Sequence, residues 1–134
     1  MRGSFVGAGQ TCVSIERIYV QQSIYANFLK RFVERTKALA LGSALDYSVE
    51  MGSLTSERQL RAVEEHLADA LGKGAVVEAG GRRRPEIGPL FFDPTVDPVL
   101  TNKTPGPGRS MLETSANNLY RGVSMRDLDT FDER

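Results

Sequence analysis

Little in this chain of 134 residues points to chemistry at first sight. It has one cysteine, Cys12, and one histidine, His66. A lone cysteine excludes an internal disulfide and any multi-cysteine zinc site, and a lone histidine is a poor basis for a metal centre. Lys plus Arg is 17 and Asp plus Glu is 17, so the formal net charge is zero. That removes the basic excess on which affinity for nucleic acid depends. No apolar run approaches the ~18 residues of a membrane span. Met1 to Val6 lacks the long apolar segment of a secretory signal. There is no Gly-x-Ser-x-Gly nucleophile elbow and no internal repeat. The expectation is a reducing, cytoplasmic setting, without metal, membrane or nucleic-acid partner.

What is present is ordinary globular composition, with 40% hydrophobic and 25% charged residues. The length fits one domain, which would bury roughly two thirds of its unfolded-chain surface. The pattern changes near residue 100. Residues 1–104 alternate periodic apolar segments with short polar breaks, whereas 105–134 open on Pro105-Gly106-Pro107-Gly108 and continue polar and charged. Little core and poor order are expected from Pro105 on, although Leu112, Leu119 and Tyr120 allow a short helix.

Ile18-Tyr19-Val20 reads as a short strand. A helix follows, with Ile24, Tyr25, Phe28, Leu29, Phe32, Val33 and Leu39 on one face, Ser23 as its N-cap and Gly42 past its end. Ser56 with Gln59 forms a capping box for a second helix, whose stripe is Leu60, Val63, Leu67 and Leu71. Glu57 and Arg61 make an i,i+4 pair in the favourable order. Gly72 and Gly74 end that helix. Ala75–Glu78 and Leu90–Phe92 read as further strands, with a turn at Gly80-Gly81. The order of elements predicts an α/β arrangement of two amphipathic helices and three or four short strands.

Cys12 stands in Gly7-Ala8-Gly9-Gln10-Thr11-Cys12. The glycines imply a sharp bend. Amides converging at such a bend favour a thiolate and can hold an oxyanion after attack on a carbonyl. The competing reading is a small buried hydrophobe. Gly7-Ala8-Gly9 as a phosphate-cradling loop lacks the third glycine and a preceding strand. His66 permits a Cys12–His66 dyad for thiol hydrolysis, with no third orienting group in view. Arg82-Arg83-Arg84 is either an anion patch or a solvated turn, the latter being the commoner case in a neutral chain. Glu64-Glu65 and Asp127, Asp129 and Asp132 read as helix surface and polar tail.

GQTCVSIERIYV, from Gly9 to Val20, resembles the catalytic-cysteine signature of the aldehyde dehydrogenase superfamily. QQSIYANFLKRFVERTKAL resembles the helix that follows it there, and MGSLTSERQLRAVEEHLADALGKGAVVEAGG the downstream loop, helix and strand. GPLFFDPTV resembles a later strand. Within the superfamily, CVSIERIYV is most similar to succinate-semialdehyde dehydrogenase-type members. The resemblance implies the fold of a catalytic-domain fragment. It implies that Cys12 attacks an aldehyde, that the thiohemiacetal gives hydride to NAD or NADP, and that water releases the acid. Gln10 would shape the cysteine loop near the nicotinamide and count as cofactor-binding. Met111-Leu112-Glu113-Thr114 resembles the start of a block whose glutamate, here Glu113, holds the nicotinamide ribose, but no Phe-Gly-Pro follows. Val6 stands where some succinate-semialdehyde enzymes carry arginine, and Ser14 where some carry a second cysteine.

In the family a dinucleotide-binding domain, a general-base glutamate and an oxyanion-hole asparagine precede the cysteine, and these 134 residues hold none of them. The expectation is therefore a chain that does not act as a dehydrogenase by itself. The alternative is a non-catalytic α/β module that associates with itself or another chain through apolar faces.

Overall fold

The computed structural model describes residues 2–15, 17–97 and 109–114. The elements run α1 (Arg2–Phe5), a 3-10 turn (Val6–Gly9), β1 (Arg17–Gln21), a second 3-10 turn (Gln22–Ile24), α2 (Tyr25–Lys37), α3 (Glu57–Gly72), β2 (Val96–Asp97) and β3 (Arg109–Thr114). The three strands form one antiparallel sheet in the order β1-β3-β2. Tyr19 faces Met111 in the first ladder, and Val96 faces Thr114 in the second.

The two amphipathic helices form as their periodicity predicts. α3 starts where expected: the Ser56 hydroxyl oxygen accepts the Gln59 amide at 3.2 Å, satisfying one orphan donor of the first turn. Glu57 and Arg61 pair at 3.5 Å. Leu60, Val63 and Leu67 are buried, whereas Leu71, in the last turn, is 50% exposed. In α2, Phe32 stacks on Phe28 with centroids 5.6 Å apart and meets Phe5 at 6.2 Å. These side chains join Ala8, Met51, Leu54, Ala79, Phe92 and Val96 in one core. Among the described residues no helix is long and apolar enough to cross a membrane.

Both predicted boundaries of α2 are corrected. Ser23 lies inside the 3-10 turn, Ile24 takes the N-cap position without a side-chain cap bond, and Ile24 is exposed rather than core. The helix ends at Lys37, well before Gly42. The Thr36 hydroxyl bonds back to the Phe32 carbonyl at 2.8 Å, a contact that competes with helix propagation. The following backbone is then taken up by residues 50–51: Glu50 N–H donates to the Ala40 carbonyl at 2.9 Å, and Gly42 N–H to that of Met51 at 3.2 Å.

Two predicted strands are also corrected. Ala75–Glu78 is not a strand. Pairing is confined to Glu78 and Ala79, which exchange 3.0 Å bonds with Val96, before Gly80 and Gly81 turn away with φ of 78° and 84°. Leu90–Phe92 is reduced to a single bridge between Phe92 and Arg83. The Phe91 amide is spent on Gly88 at 3.2 Å inside a tight turn, and Pro94 has no amide to extend a ladder. β2 and β3 take their place. The sequence expects little order from Pro105 on, yet Arg109–Thr114, Leu112 included, supplies the middle strand of the sheet. Leu119, Tyr120 and the aspartates at 127, 129 and 132 lie outside the described residues.

Candidate functional site

The segment around Cys12 is built on a rare backbone conformation. Gly7, Ala8 and Gly9 have φ of 62°, 55° and 71° in succession, all left-handed. Glycine accepts this freely, whereas an L-residue pays about 1–2 kcal/mol. Ala8 holds the conformation because its methyl is in the core, 1% exposed, beside the equally buried Phe5. Apolar burial on both sides thus fixes a bend that local preference opposes.

Backbone bonds close the loop beyond the bend. Gln10 N–H donates to the Gly7 carbonyl at 3.1 Å, and Ser14 N–H to that of Thr11 at 3.0 Å, bracketing Cys12 and Val13 in a turn. Ile15 N–H returns to the Gly3 carbonyl at 2.8 Å, and the Ser14 hydroxyl donates to the Ser4 carbonyl at 3.2 Å. The cysteine is exposed at the tip. Free cysteine is among the most often buried residue types, so the buried-hydrophobe reading does not describe this one.

Gln10 ties the loop to a distant one. Its Oε1 accepts the Thr55 amide at 2.9 Å, while Nε2 donates to the carbonyls of Gly7 at 3.0 Å and Ser53 at 3.4 Å. Thr55 immediately precedes the N-cap of α3. Spacing alone could not reveal this link, because its two ends lie 43 and 45 residues apart in sequence.

The other candidates sit on other elements than the Cys12 loop. His66 is exposed on α3, and among the described residues no hydrogen bond joins it to Cys12. Glu113 sits on β3, opposite Arg17 of β1 and Asp97 of β2 in register. The arginine run is committed to carboxylates. Arg83 forks onto Glu64, with Nη2 at 2.6 Å, and reaches Glu57 at 3.4 Å. Arg82 and Arg84 share Asp93 at 2.9 and 2.8 Å, and Arg84 also bonds Glu86. The run is therefore an ion-paired turn and not an open anion patch. The Arg83 hydrogen bond keeps the Glu64 carboxyl below its usual range. The Tyr25 hydroxyl is pushed up by burial first, then by Glu78 and Asp97, a cluster the sequence reading did not single out.

Neither the glycine loop nor the arginine run offers a phosphate cradle. Gly7-Ala8-Gly9 follows a helix rather than a strand and leads into a turn, whereas a pyrophosphate cradle needs strand, glycine loop and helix N-terminus. Every guanidinium of the 82–84 run is paired. Among the described residues no group of three or more His, Cys, Asp or Glu could hold a metal ion.

The model of the aldehyde dehydrogenase family matches residues 1–105. A protein of Mycobacterium tuberculosis, provisionally named succinate-semialdehyde dehydrogenase (NADP+) 2, is 49% identical over 122 residues, covering 91% of this chain and 22% of that protein. A similarly named protein of Mycolicibacterium smegmatis is 45% identical over 102 residues, covering 76% and 20%. Betaine aldehyde dehydrogenase of Staphylococcus aureus, solved with NAD+ and a BME-modified cysteine, aligns with a TM-score of 0.66 at 35% identity, covering 69% of this chain and 19% of that one. Lactaldehyde dehydrogenase of Escherichia coli aligns at 0.65 and 34% identity, covering 70% and 20%. The chain spans about a fifth of the length of these relatives. Its match over residues 1–105, which takes in the whole Cys12 loop and both long helices, makes it a member of the aldehyde dehydrogenase family.

Proposed function

We propose that these residues supply the nucleophile of an NAD(P)-dependent aldehyde dehydrogenase, and that Cys12 is that nucleophile. The observation that carries this reading is an exposed thiol on a loop held by core burial and by three sets of backbone bonds. Such a loop fixes the position of the sulfur while leaving it open to a substrate, the condition under which orientation lowers a barrier.

Cys12 Sγ attacks the aldehyde carbon. A C–S bond forms, the carbonyl π pair moves to oxygen, and the Cys12 backbone N–H donates to that oxygen. Protonation of the oxygen gives the thiohemiacetal. Oxidation of this adduct needs a hydride acceptor, NAD or NADP, held outside the described residues. By themselves, then, the 134 residues form the adduct and do not oxidise it. Succinate semialdehyde is the first substrate to try, since relatives at 49% and 45% identity carry its name.

Alkylation of Cys12 by iodoacetamide, followed by mass spectrometry, tests this. An aldehyde should slow the labelling in proportion to its concentration. Labelling indifferent to millimolar aldehyde contradicts the assignment, and NADP+ reduction by the chain alone contradicts its second half.

Association with a second copy or another chain is the alternative reading, supported by Leu45 and Tyr47, which are fully exposed, and Val13, 80% exposed. Sedimentation velocity should show a concentration-dependent shift. A monomer at every concentration tried removes association with a second copy.

A further inference from the structure

We propose that Gln10 is a positioning residue for the Cys12 thiol, not a ligand of the cofactor. This rests on the nucleophile reading above and adds what holds that nucleophile in place. The carboxamide uses both ends on the protein's own backbone. Its oxygen accepts from Thr55, and its nitrogen donates to Gly7 and Ser53. Both donors of the nitrogen and one lone pair of the oxygen are thus spent on backbone.

The position of the residue makes the link consequential. Gln10 closes the left-handed Gly7–Gly9 bend twice, through its backbone amide at 3.1 Å and through Nε2 at 3.0 Å, both on the Gly7 carbonyl. Two residues on is Cys12. On the far side, Ser53 and Thr55 flank Leu54, which is 2% exposed, and Thr55 abuts the Ser56 cap of α3. One carboxamide therefore references the cysteine loop to a core-anchored strut. The Ser14 to Thr11 bond shapes the turn at Cys12 and Val13, and the ties from Ile15 to Gly3 and from Ser14 to Ser4 hold the base of the loop; all of these lie within residues 3–15. Loss of the carboxamide should free the tip and leave the fold intact.

The test uses the full chain, the variants Gln10→Ala and Gln10→Glu, and Val63→Ala as a control that weakens the shared core without touching the carboxamide bonds. Glutamate keeps an acceptor for Thr55 but, ionised, has no donor for Gly7 or Ser53. Amide exchange at Thr55 should accelerate about tenfold in Gln10→Ala, the size of one lost hydrogen bond, and stay near the parent value in Gln10→Glu. Backbone order parameters for residues 9–13 should fall from about 0.85 toward 0.6 in both Gln10 variants, and not in Val63→Ala. Aldehyde protection of Cys12 should weaken in both Gln10 variants and survive in Val63→Ala.

Unchanged Thr55 exchange and unchanged order parameters in Gln10→Ala overturn the proposal. So does full aldehyde protection in a Gln10→Ala chain whose loop has become mobile. Failure of the nucleophile reading looks different: aldehyde then leaves Cys12 labelling unaffected in the parent itself, and the exchange and order data still decide whether Gln10 fixes the loop.

Discussion

Three glycines offer a graded test of how backbone conformation and space limit this fold. Replacing each with alanine adds the same methyl to three environments. At Gly72, the last residue of α3, a Cβ meets nothing within 4 Å. Alanine there restricts the unfolded chain and suits the helix, and should stabilise by about 0.5–1 kcal/mol. At Gly74 the space is also open, but φ is +90°. The left-handed penalty of about 1–2 kcal/mol then outweighs the entropic gain, leaving a small loss. At Gly80, φ is +78°, and the Cβ would lie 2.4 Å from the Pro94 carbonyl oxygen and 2.8 Å from Thr95 Oγ1. Neither neighbour yields easily. Pro94 is backbone, and the Thr95 hydroxyl is held between Gly81 N–H at 3.0 Å and the Asp93 carbonyl at 2.9 Å. Overpacking adds about 1–3 kcal/mol, so Gly80→Ala should lose about 2–5 kcal/mol in all. With a urea m-value of about 1–3 kcal/mol per molar, Gly80→Ala should move the unfolding midpoint down by about 1 M or more, Gly74→Ala by a fraction of that, and Gly72→Ala slightly up. A Gly80→Ala chain no less stable than Gly74→Ala would refute the close approach of the Gly80 turn to Pro94, and with it the reason given for Ala75–Glu78 forming no strand.

Other outcomes follow from single contacts. Ser56→Ala should cost about 1 kcal/mol through the lost cap on Gln59, and Ser56→Asp should restore most of it; equal urea midpoints for parent and Ser56→Ala would contradict the cap. Glu64 is held below its usual range in the folded state by Arg83. The stability it contributes is therefore complete above the unfolded glutamate value of about 4.3 and is lost as pH falls through the lower folded value. Glu64→Gln should flatten that part of the acid limb, most clearly at low salt, and a parallel acid limb would contradict the pair. Asp93→Ala removes one of the two carboxylates that hold Arg84, whose side chain is 27% exposed, and leaves Glu86 in place; it should destabilise by about 0.5–1.5 kcal/mol. Relief by a second change, Arg84→Met, would confirm that the charge is at fault, whereas an additive loss would deny it.

The parts legible in sequence were those set by local periodicity. Leu60, Val63 and Leu67 announce α3, and Ser56 with Gln59 marks its start. β1 is readable from Ile18, Tyr19 and Val20. What escaped depends on partners far along the chain. Val96–Asp97 becomes a strand only because Arg109–Thr114 pairs with it and with β1, and β3 arises in a stretch whose composition suggests little order. Ala75–Glu78 has the β-branched residues of a strand, but the Gly80 turn beside Pro94 leaves it only the Val96 contact. Ser23 has the chemistry of an N-cap, yet a 3-10 turn occupies that position.

The candidate site shows the same division. Cys12 stands out by type and by the glycines before it, so the thiol was readable. Its exposure was not, because that follows from Phe5 and Ala8 entering the core and from three consecutive left-handed residues. The commitment of Arg82, Arg83 and Arg84 to Glu64, Glu86 and Asp93 likewise needed the tertiary arrangement. So did the link from Gln10 to Ser53 and Thr55. The resemblance of residues 9–20 to a family signature suggested a cofactor role for Gln10, whereas the geometry occupies its carboxamide with backbone.

Carbon NMR asks directly whether Cys12 is held open to a carbonyl. The purified chain is mixed with succinate semialdehyde labelled with carbon-13 at the aldehyde carbon. A new tetrahedral carbon signal, bound to sulfur, should appear, saturate at one equivalent of chain and be absent with Cys12→Ala. A spectrum showing only free aldehyde and its hydrate, identical for the parent and Cys12→Ala, would contradict Cys12 as the nucleophile.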